Sequence, residues 1–249
     1  MPESDGSGKP IHAAFSVNLN LERAYMLRNS AGWIAEYQKK DAYWLHDGNS
    51  KRPHALLISG KHSNGFFNSR PVIADEPLLR EAASDLVDLF IIKGGDIEHV
   101  DRVVGPQTGA TKLAEFLSDE IGKRRKRPCH WASPAKQGEG ELKAMVFNDP
   151  KHMVMPGERV LLCEDVLTTG GSVELTARAV KEKGGIILHI VLILVNRSGL
   201  VTAYDNLIVA LIDRNMPTWE QAECPLCAAG SEAIRPKGIP EWARLNATY

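Results

Sequence analysis

Val160-Leu161-Leu162-Cys163-Glu164-Asp165-Val166-Leu167-Thr168-Thr169-Gly170-Gly171-Ser172 runs an apolar strand into two adjacent carboxylates and then into a turn of hydroxyls and glycines. A helical pattern follows at once, over 173–183. Each part has a chemical use. Glycines let backbone N–H groups approach an anion closely, and a helix start adds a favourable dipole. Thr168, Thr169 and Ser172 can donate hydroxyl hydrogen bonds to the same phosphate. Glu164 and Asp165 suit the opposite partner, a sugar diol or a hydrated divalent cation. A site that takes phosphate at one end and a diol at the other fits a ribose 5-phosphate. An ordinary strand–turn–helix with capping residues accounts for the turn but not for the acidic pair ahead of it.

Upstream, Val103-Val104-Gly105-Pro106-Gln107-Thr108-Gly109-Ala110 also ends a strand and opens a helix. A Walker loop places Lys directly after its last glycine; here Lys112 follows Gly109 by three, so that reading fails. No Gly-x-Gly-x-x-Gly is present, which argues against a dinucleotide fold. The stretch reads as a second anion loop, and ligands of open α/β sheets gather at the carboxyl ends of parallel strands.

Around these loops the pattern alternates. Helical spacing covers 15–40, with Leu19, Leu27, Trp33, Ile34 and Tyr37 on one face. Short strands are expected at 43–45 and 54–58, around a turn at Asp47-Gly48-Asn49. An amphipathic helix is expected over 76–92, closed by Gly94-Gly95, then a strand at 100–104 and a helix over 108–121 ended by Gly122. Further strands are expected at 128–131, 159–163, 186–195 and 207–212, and a mobile loop over 137–148. This predicts an α/β fold: a mostly parallel twisted sheet with helices on both faces, spanning 71–213. A disordered tail at 1–13 would precede it, and segments 14–70 and 214–249 would pack together as a small cap.

The 249 residues and 43% apolar content suffice for such a core. The net charge of −1 gives no reason to expect nucleic acid or an anionic membrane as partner. The longest apolar run, 186–195, is too short to span a bilayer, and the N-terminus lacks a signal-peptide core, so a cytoplasmic location is expected. The basic run Lys123-Arg124-Arg125-Lys126-Arg127 sits at a helix end without interleaved aromatics and reads as a solvated or dipole-neutralising surface. Cys224-Pro225-Leu226-Cys227 has zinc-knuckle spacing, but there is no second such pair and a metal would need two more ligands; a structural turn is expected.

The opening stretch resembles the 5-phosphoribosyl 1-pyrophosphate (PRPP) motif of the type I phosphoribosyltransferases. The resemblance implies that Gly105, Pro106, Gln107, Thr108 and Gly109 hold pyrophosphate. It places Glu164, Asp165, Val166, Leu167, Thr168, Thr169, Gly170, Gly171 and Ser172 around the ribose and its 5-phosphate, with Mg²⁺ reached by the two carboxylates through water. Leu57-Ile58-Ser59-Gly60-Lys61-His62-Ser63-Asn64-Gly65-Phe66-Phe67-Asn68 looks like the N-terminal signature of the orotate phosphoribosyltransferases. In that family two aromatics, here Phe66 and Phe67, lie against the pyrimidine. Leu194-Val195-Asn196-Arg197 resembles the strand end that supplies an arginine near the base, and a guanidinium fork suits a carboxylate. Lys136 aligns with a catalytic loop lysine, and Glu223-Cys224-Pro225-Leu226-Cys227 looks like a C-terminal segment of some members.

There are departures. The loop's usual Arg-Lys pair falls on Ala132 and Ser133, and Gln107 and Thr108 stand where some members carry a pyrophosphate-loop lysine. Ile58 replaces the lysine before Ser59-Gly60, and Asn196 replaces the aspartate before Arg197. The resemblance implies a Mg²⁺-dependent enzyme that transfers ribose 5-phosphate from PRPP to a nucleobase, orotate first, as a homodimer. A different base and a non-catalytic PRPP-binding regulator stay open as alternatives.

Overall fold

The computed structural model describes residues 27–236 and 238–249. The tail expected at 1–13 and positions 15–26 of the first expected helix, Leu19 included, lie outside them. The described part of that helix is α1 (Ser30–Lys39), where the Asn29 side chain accepts from the Gly32 N–H at 2.9 Å. Trp33 and Tyr37, one turn apart, are its buried residues. Four short strands follow: β1 (Tyr43–Leu45), β2 (His54–Leu56), β3 (His62–Ser63) and β4 (Gly65–Phe67). The turn at Asp47-Gly48-Asn49 forms, with Gly48 at φ +90°. The strands flanking it do not pair: β1 runs antiparallel to β4, and β2 to β3. The connection between β1 and β2 is longer than a hairpin loop, which leaves both strands free for other partners. β2 also stops short of Ile58, because the chain turns back with Leu57 N–H donating to Lys61 O at 2.8 Å.

The core begins with α2 (Arg70–Ala74) and α3 (Glu76–Ile92). Asp75 caps α3 by accepting from Leu78 N–H at 3.1 Å, and Leu78, Leu79, Ala82, Ala83, Leu86, Val87 and Phe90 form its buried stripe. Next come β5 (Arg102–Val104), α4 (Thr111–Arg125), β6 (His130–Ala132), β7 (Ala135–Gln137) and β8 (Ala144–Val146). α4 runs past Gly122 and stops at Lys126, which is left-handed at φ 57°. The basic run anchors this end. Arg124 bonds Asp88 and Glu120, both at 2.6 Å, while Arg125 bonds the carbonyls of Val100 and Pro128. The segment expected as a loop over 137–148 holds part of a hairpin: β7 and β8 pair antiparallel, Lys136 opposite Met145. Glycines and charges hid its two short strands from a reading by period.

Then follow β9 (Arg159–Leu167), α5 (Gly171–Glu182), β10 (Ile186–Asn196), β11 (Thr202–Ala203), β12 (Asn206–Asp213), β13 (Thr218–Trp219), α6 (Pro225–Ala228), β14 (Ala233–Ile234) and α7 (Ile239–Asn246). The main sheet has the order β11-β12-β10-β9-β5-β6, and every neighbouring pair is parallel except β11 with β12. β9 lies between two cores. Leu161 and Cys163 pack with the stripes of α1, α3 and α4, while Val160 and Leu162 pack with Val173, Ala177 and Val180 of α5. Helices therefore cover both faces. A second sheet, β13-β3-β2-β14, joins segments before and after the core, and Trp44 Nε1 donates to Leu245 O at 2.8 Å.

Candidate active site

In the main sheet β9 lies beside β5, while the strand that follows β5 in sequence within the sheet, β6, lies on its other side. The chain thus leaves in opposite directions from β5 and β9, which opens a crevice at their carboxyl ends. Both anion loops begin there. β9 continues beyond the expected Cys163 because β10 keeps pairing with it as far as Asn196 opposite Leu167. The carboxylates therefore lie within the strand, and its alternation sends them to opposite faces. Asp165 reaches the Gly105–Gly109 side: a Cβ on Gly109 would stand 2.5 Å from its Oδ2, so any side chain there would push the carboxylate aside. Glu164 faces the other loop and lines its small cavity of about 110 Å³ with residues 166–173. Gly170, at φ +83°, makes the turn into α5.

A larger cavity of about 520 Å³ opens beside it. Pro106, Gln107, Thr108, Gly109, Lys136, Glu164, Asp165 and Ser172 all line it. Glu164 and Ser172 line both cavities, so the two adjoin, and the larger one brings the loop after β5, the acidic pair, Lys136 and Ser172 of the second loop together. Glu164 is only 6% exposed. Burial, reinforced by the Asp165 charge, pushes its carboxyl well above the usual carboxylate range; the Asp165 N–H at 3.1 Å and the Lys136 ammonium pull the other way.

Ala132 and Ser133, where the resemblance has a basic pair, are buried. Ser133 Oγ donates to Gly105 O at 2.8 Å and so accepts from Thr111 Oγ1 at 2.6 Å. Gln107 N–H donates to Pro134 O at 2.9 Å. This segment shapes the anion loop rather than charging it. Besides Lys136, positive charge comes from two residues that no sequence motif marks. Arg70 and Lys112 line the larger cavity, and Lys112 sits 3.4 Å from Glu76 and 3.3 Å from Glu115, whose charges raise its pKa. In the sequence Lys112 stands out only as a misplaced Walker lysine. Arg70 sits at the start of a five-residue helix without a recognisable motif.

The aromatics and the arginine expected at the base are not among the residues lining the two cavities. Phe66 and Phe67 are consecutive in β4 and so face opposite sides, which prevents both from lying on one ring. Phe67 packs on Tyr37 and Tyr43, with ring centres 5.5 and 4.8 Å away, and Phe66 packs on Trp242 at 6.0 Å. Neither lines the two cavities. Arg197 is 2% exposed; its Nη2 donates to Ser63 Oγ at 2.7 Å and its Nε has no partner among the described residues. Burial lowers its pKa to about 10.

The chain belongs to the type I phosphoribosyltransferases: the phosphoribosyl transferase domain family matches residues 79–222, which carry both loops and the acidic pair. Among curated relatives, the orotate phosphoribosyltransferase of Caldicellulosiruptor saccharolyticus is 32% identical over 208 residues, 84% of this chain and 96% of that one. An orotate phosphoribosyltransferase of Thermus thermophilus is 32% identical over 180 residues, 71% and 88% of the two chains. Solved structures share the fold. The Mycobacterium tuberculosis orotate phosphoribosyltransferase in complex with inorganic phosphate has a TM-score of 0.53 at 19% identity, covering 74% of this chain and 95% of that one. The Leishmania donovani UMP synthase has a TM-score of 0.54 at 16% identity, covering 74% and 36%.

Proposed function

We propose that this phosphoribosyltransferase moves ribose 5-phosphate from PRPP to orotate and releases pyrophosphate. The observation that carries the PRPP reading is the pair of adjoining cavities, one at each anion loop, that share Glu164 and Ser172 and have Asp165 on the wall of the larger. The identity of the base rests on the curated relatives. A base nitrogen attacks C1 of the ribose while its bond to pyrophosphate breaks. No protein nucleophile is needed; the chain's contribution is alignment and leaving-group stabilisation. The loop after β9 would hold the 5-phosphate through its N–H groups and hydroxyls. The loop after β5, with Arg70, Lys112 and Lys136 around it, would meet the pyrophosphate charge.

Mg²⁺ fits the donor set, since Glu164 and Asp165 both bring hard carboxylate oxygens to the wall of the larger cavity. When bound it would neutralise pyrophosphate charge. A buried guanidinium with a free Nε, as in Arg197, has donor capacity for the orotate carboxylate. We also propose a homodimer in the cytoplasm, on the family resemblance; among the described residues no helix is long and apolar enough to cross a membrane.

The test is a base panel. With PRPP and Mg²⁺, orotate should yield nucleotide and pyrophosphate, and uracil should react at least about a hundredfold more slowly, as a site built for an anion discriminates against ligands lacking one. Turnover of uracil or a purine with orotate inert would make this an enzyme for another base. PRPP binding without any product would favour the regulator.

A further inference from the structure

Cys224 and Cys227 frame the first turn of α6, and the chain folds two histidines from far upstream against them. His54 opens β2 and His62 opens β3, on adjacent antiparallel strands. His54 Nε2 lies 3.6 Å from Cys224 Sγ and 3.5 Å from Cys227 Sγ; His62 Nδ1 lies 3.2 Å from Cys227 Sγ and 2.9 Å from His54 Nε2. The four ligand atoms all lie within 4.8 Å of one another. His54, His62 and Cys224 are buried, and the partly exposed Cys227 leaves a route in from solvent.

The proton inventory points the same way. Ser231 Oγ donates its only proton to Arg52 O at 2.6 Å, so at its 2.8 Å contact with His54 Nδ1 it must accept. The Nδ1 of His54 therefore carries the hydrogen. Its Nε2 lone pair then points into the cluster, towards Cys224, Cys227 and His62. A metal-ligating imidazole usually donates its other ring N–H to an acceptor behind it, the part Ser231 Oγ takes here. Zinc bonds of about 2.3 Å to sulfur and 2.0–2.1 Å to nitrogen in a tetrahedron put sulfur and nitrogen about 3.6 Å apart. The two contacts of His54 with sulfur match that spacing. The remaining two are a few tenths of an ångström tighter and would open slightly around an ion.

We propose that His54, His62, Cys224 and Cys227 form a structural zinc site. Two thiolates and two imidazoles in a closed tetrahedron select Zn²⁺ over the harder divalent ions, and the full protein ligand set leaves no position for catalysis. The ion would tie β2 and β3 to the C-terminal segment across 170 residues of chain. It would also brace Ser63, next to His62, which holds Arg197 at 2.7 Å and Pro217 O at 2.8 Å.

The test uses the full chain expressed in zinc-supplemented medium and purified without chelators. Elemental mass spectrometry should find one zinc per chain, lost in Cys227→Ser and in His54→Gln. Those variants could fail to fold, so the wild type supplies an independent readout. Exchange into Co²⁺ should give a thiolate charge-transfer band and the intense visible bands of a tetrahedral centre. Stripping with dipicolinate should lower Tm by several degrees, restored by Zn²⁺. Wild-type protein that folds without zinc, gives no cobalt spectrum and keeps its Tm when Zn²⁺ is added would overturn the site. So would a Cys224–Cys227 disulfide in protein kept under reducing conditions.

Discussion

Glu164 is held in an environment that suits its ligand better than it suits the empty protein. Its side chain is buried against Asp165, and its folded pKa lies above the unfolded value. The sign follows from linkage. Such a carboxyl contributes most stability below its unfolded pKa, and that stability is lost as pH rises towards the folded pKa. Glu164→Gln removes the ionisation and keeps the shape. The ligand-free variant should therefore be more stable than the wild type at neutral pH, by about 0.5–2 kcal/mol, the range seen when a functional compromise is relieved. The advantage should vanish as pH falls through the ordinary carboxylate range. Turnover should drop by about a hundredfold or more, since a group aimed at developing charge is lost. Thermal melts across pH, with and without the substitution, check this; a variant no more stable at neutral pH would mean that the carboxylate is not held at a cost. Residue types made this pair legible in the sequence. Its division between the two faces of β9 was not, because that depends on β10 extending the strand past Cys163.

At the scale of elements, strongly periodic segments were legible and weakly periodic ones were not. The seven buried residues of α3 follow helical spacing, and both anion loops fall where strand and helix patterns meet. The hairpin of β7 and β8 carries three residues per strand with glycines between, too little for any period to register. Phe66 and Phe67 read together as a base platform, whereas strand alternation separates them into two different clusters. His54 and His62 were invisible as metal ligands, since only the pairing of β2 with β3 brings them to Cys224 and Cys227. The hairpin has its own consequence. Lys136 is exposed on β7, lines the larger cavity and stands close enough to lower the Glu164 pKa. It should act most when negative charge moves onto the departing pyrophosphate. Lys136→Ala is expected to lower kcat by about ten- to a hundredfold with a smaller change in PRPP affinity. Steady-state kinetics beside direct PRPP titration separate the two; a rise confined to the KM for PRPP would make Lys136 a ground-state contact.

The whole molecule offers its ligand two anion loops on neighbouring strands, each backed by a different core: the loop after β5 by the side of α3 and α4, the loop after β9 by the side of α5. A ligand that bridges both loops ties the two layers together in the folded state and has no comparable site in the unfolded chain. At about a hundred times its Kd it should add about 2.7 kcal/mol by mass action. For a chain of this size that is a rise in Tm of roughly 5–10 °C. PRPP with Mg²⁺ should give this shift in a buffer free of chelators, so that a bound zinc is not removed at the same time. Ribose 5-phosphate fills only the β9 loop and lacks the pyrophosphate, so at equal concentration it should raise Tm less. Pyrophosphate alone should likewise fall short. If ribose 5-phosphate matched PRPP, the loop after β5 would have no part in binding. If PRPP left Tm unmoved in millimolar Mg²⁺, the assignment of both loops would fail, whichever base the enzyme accepts.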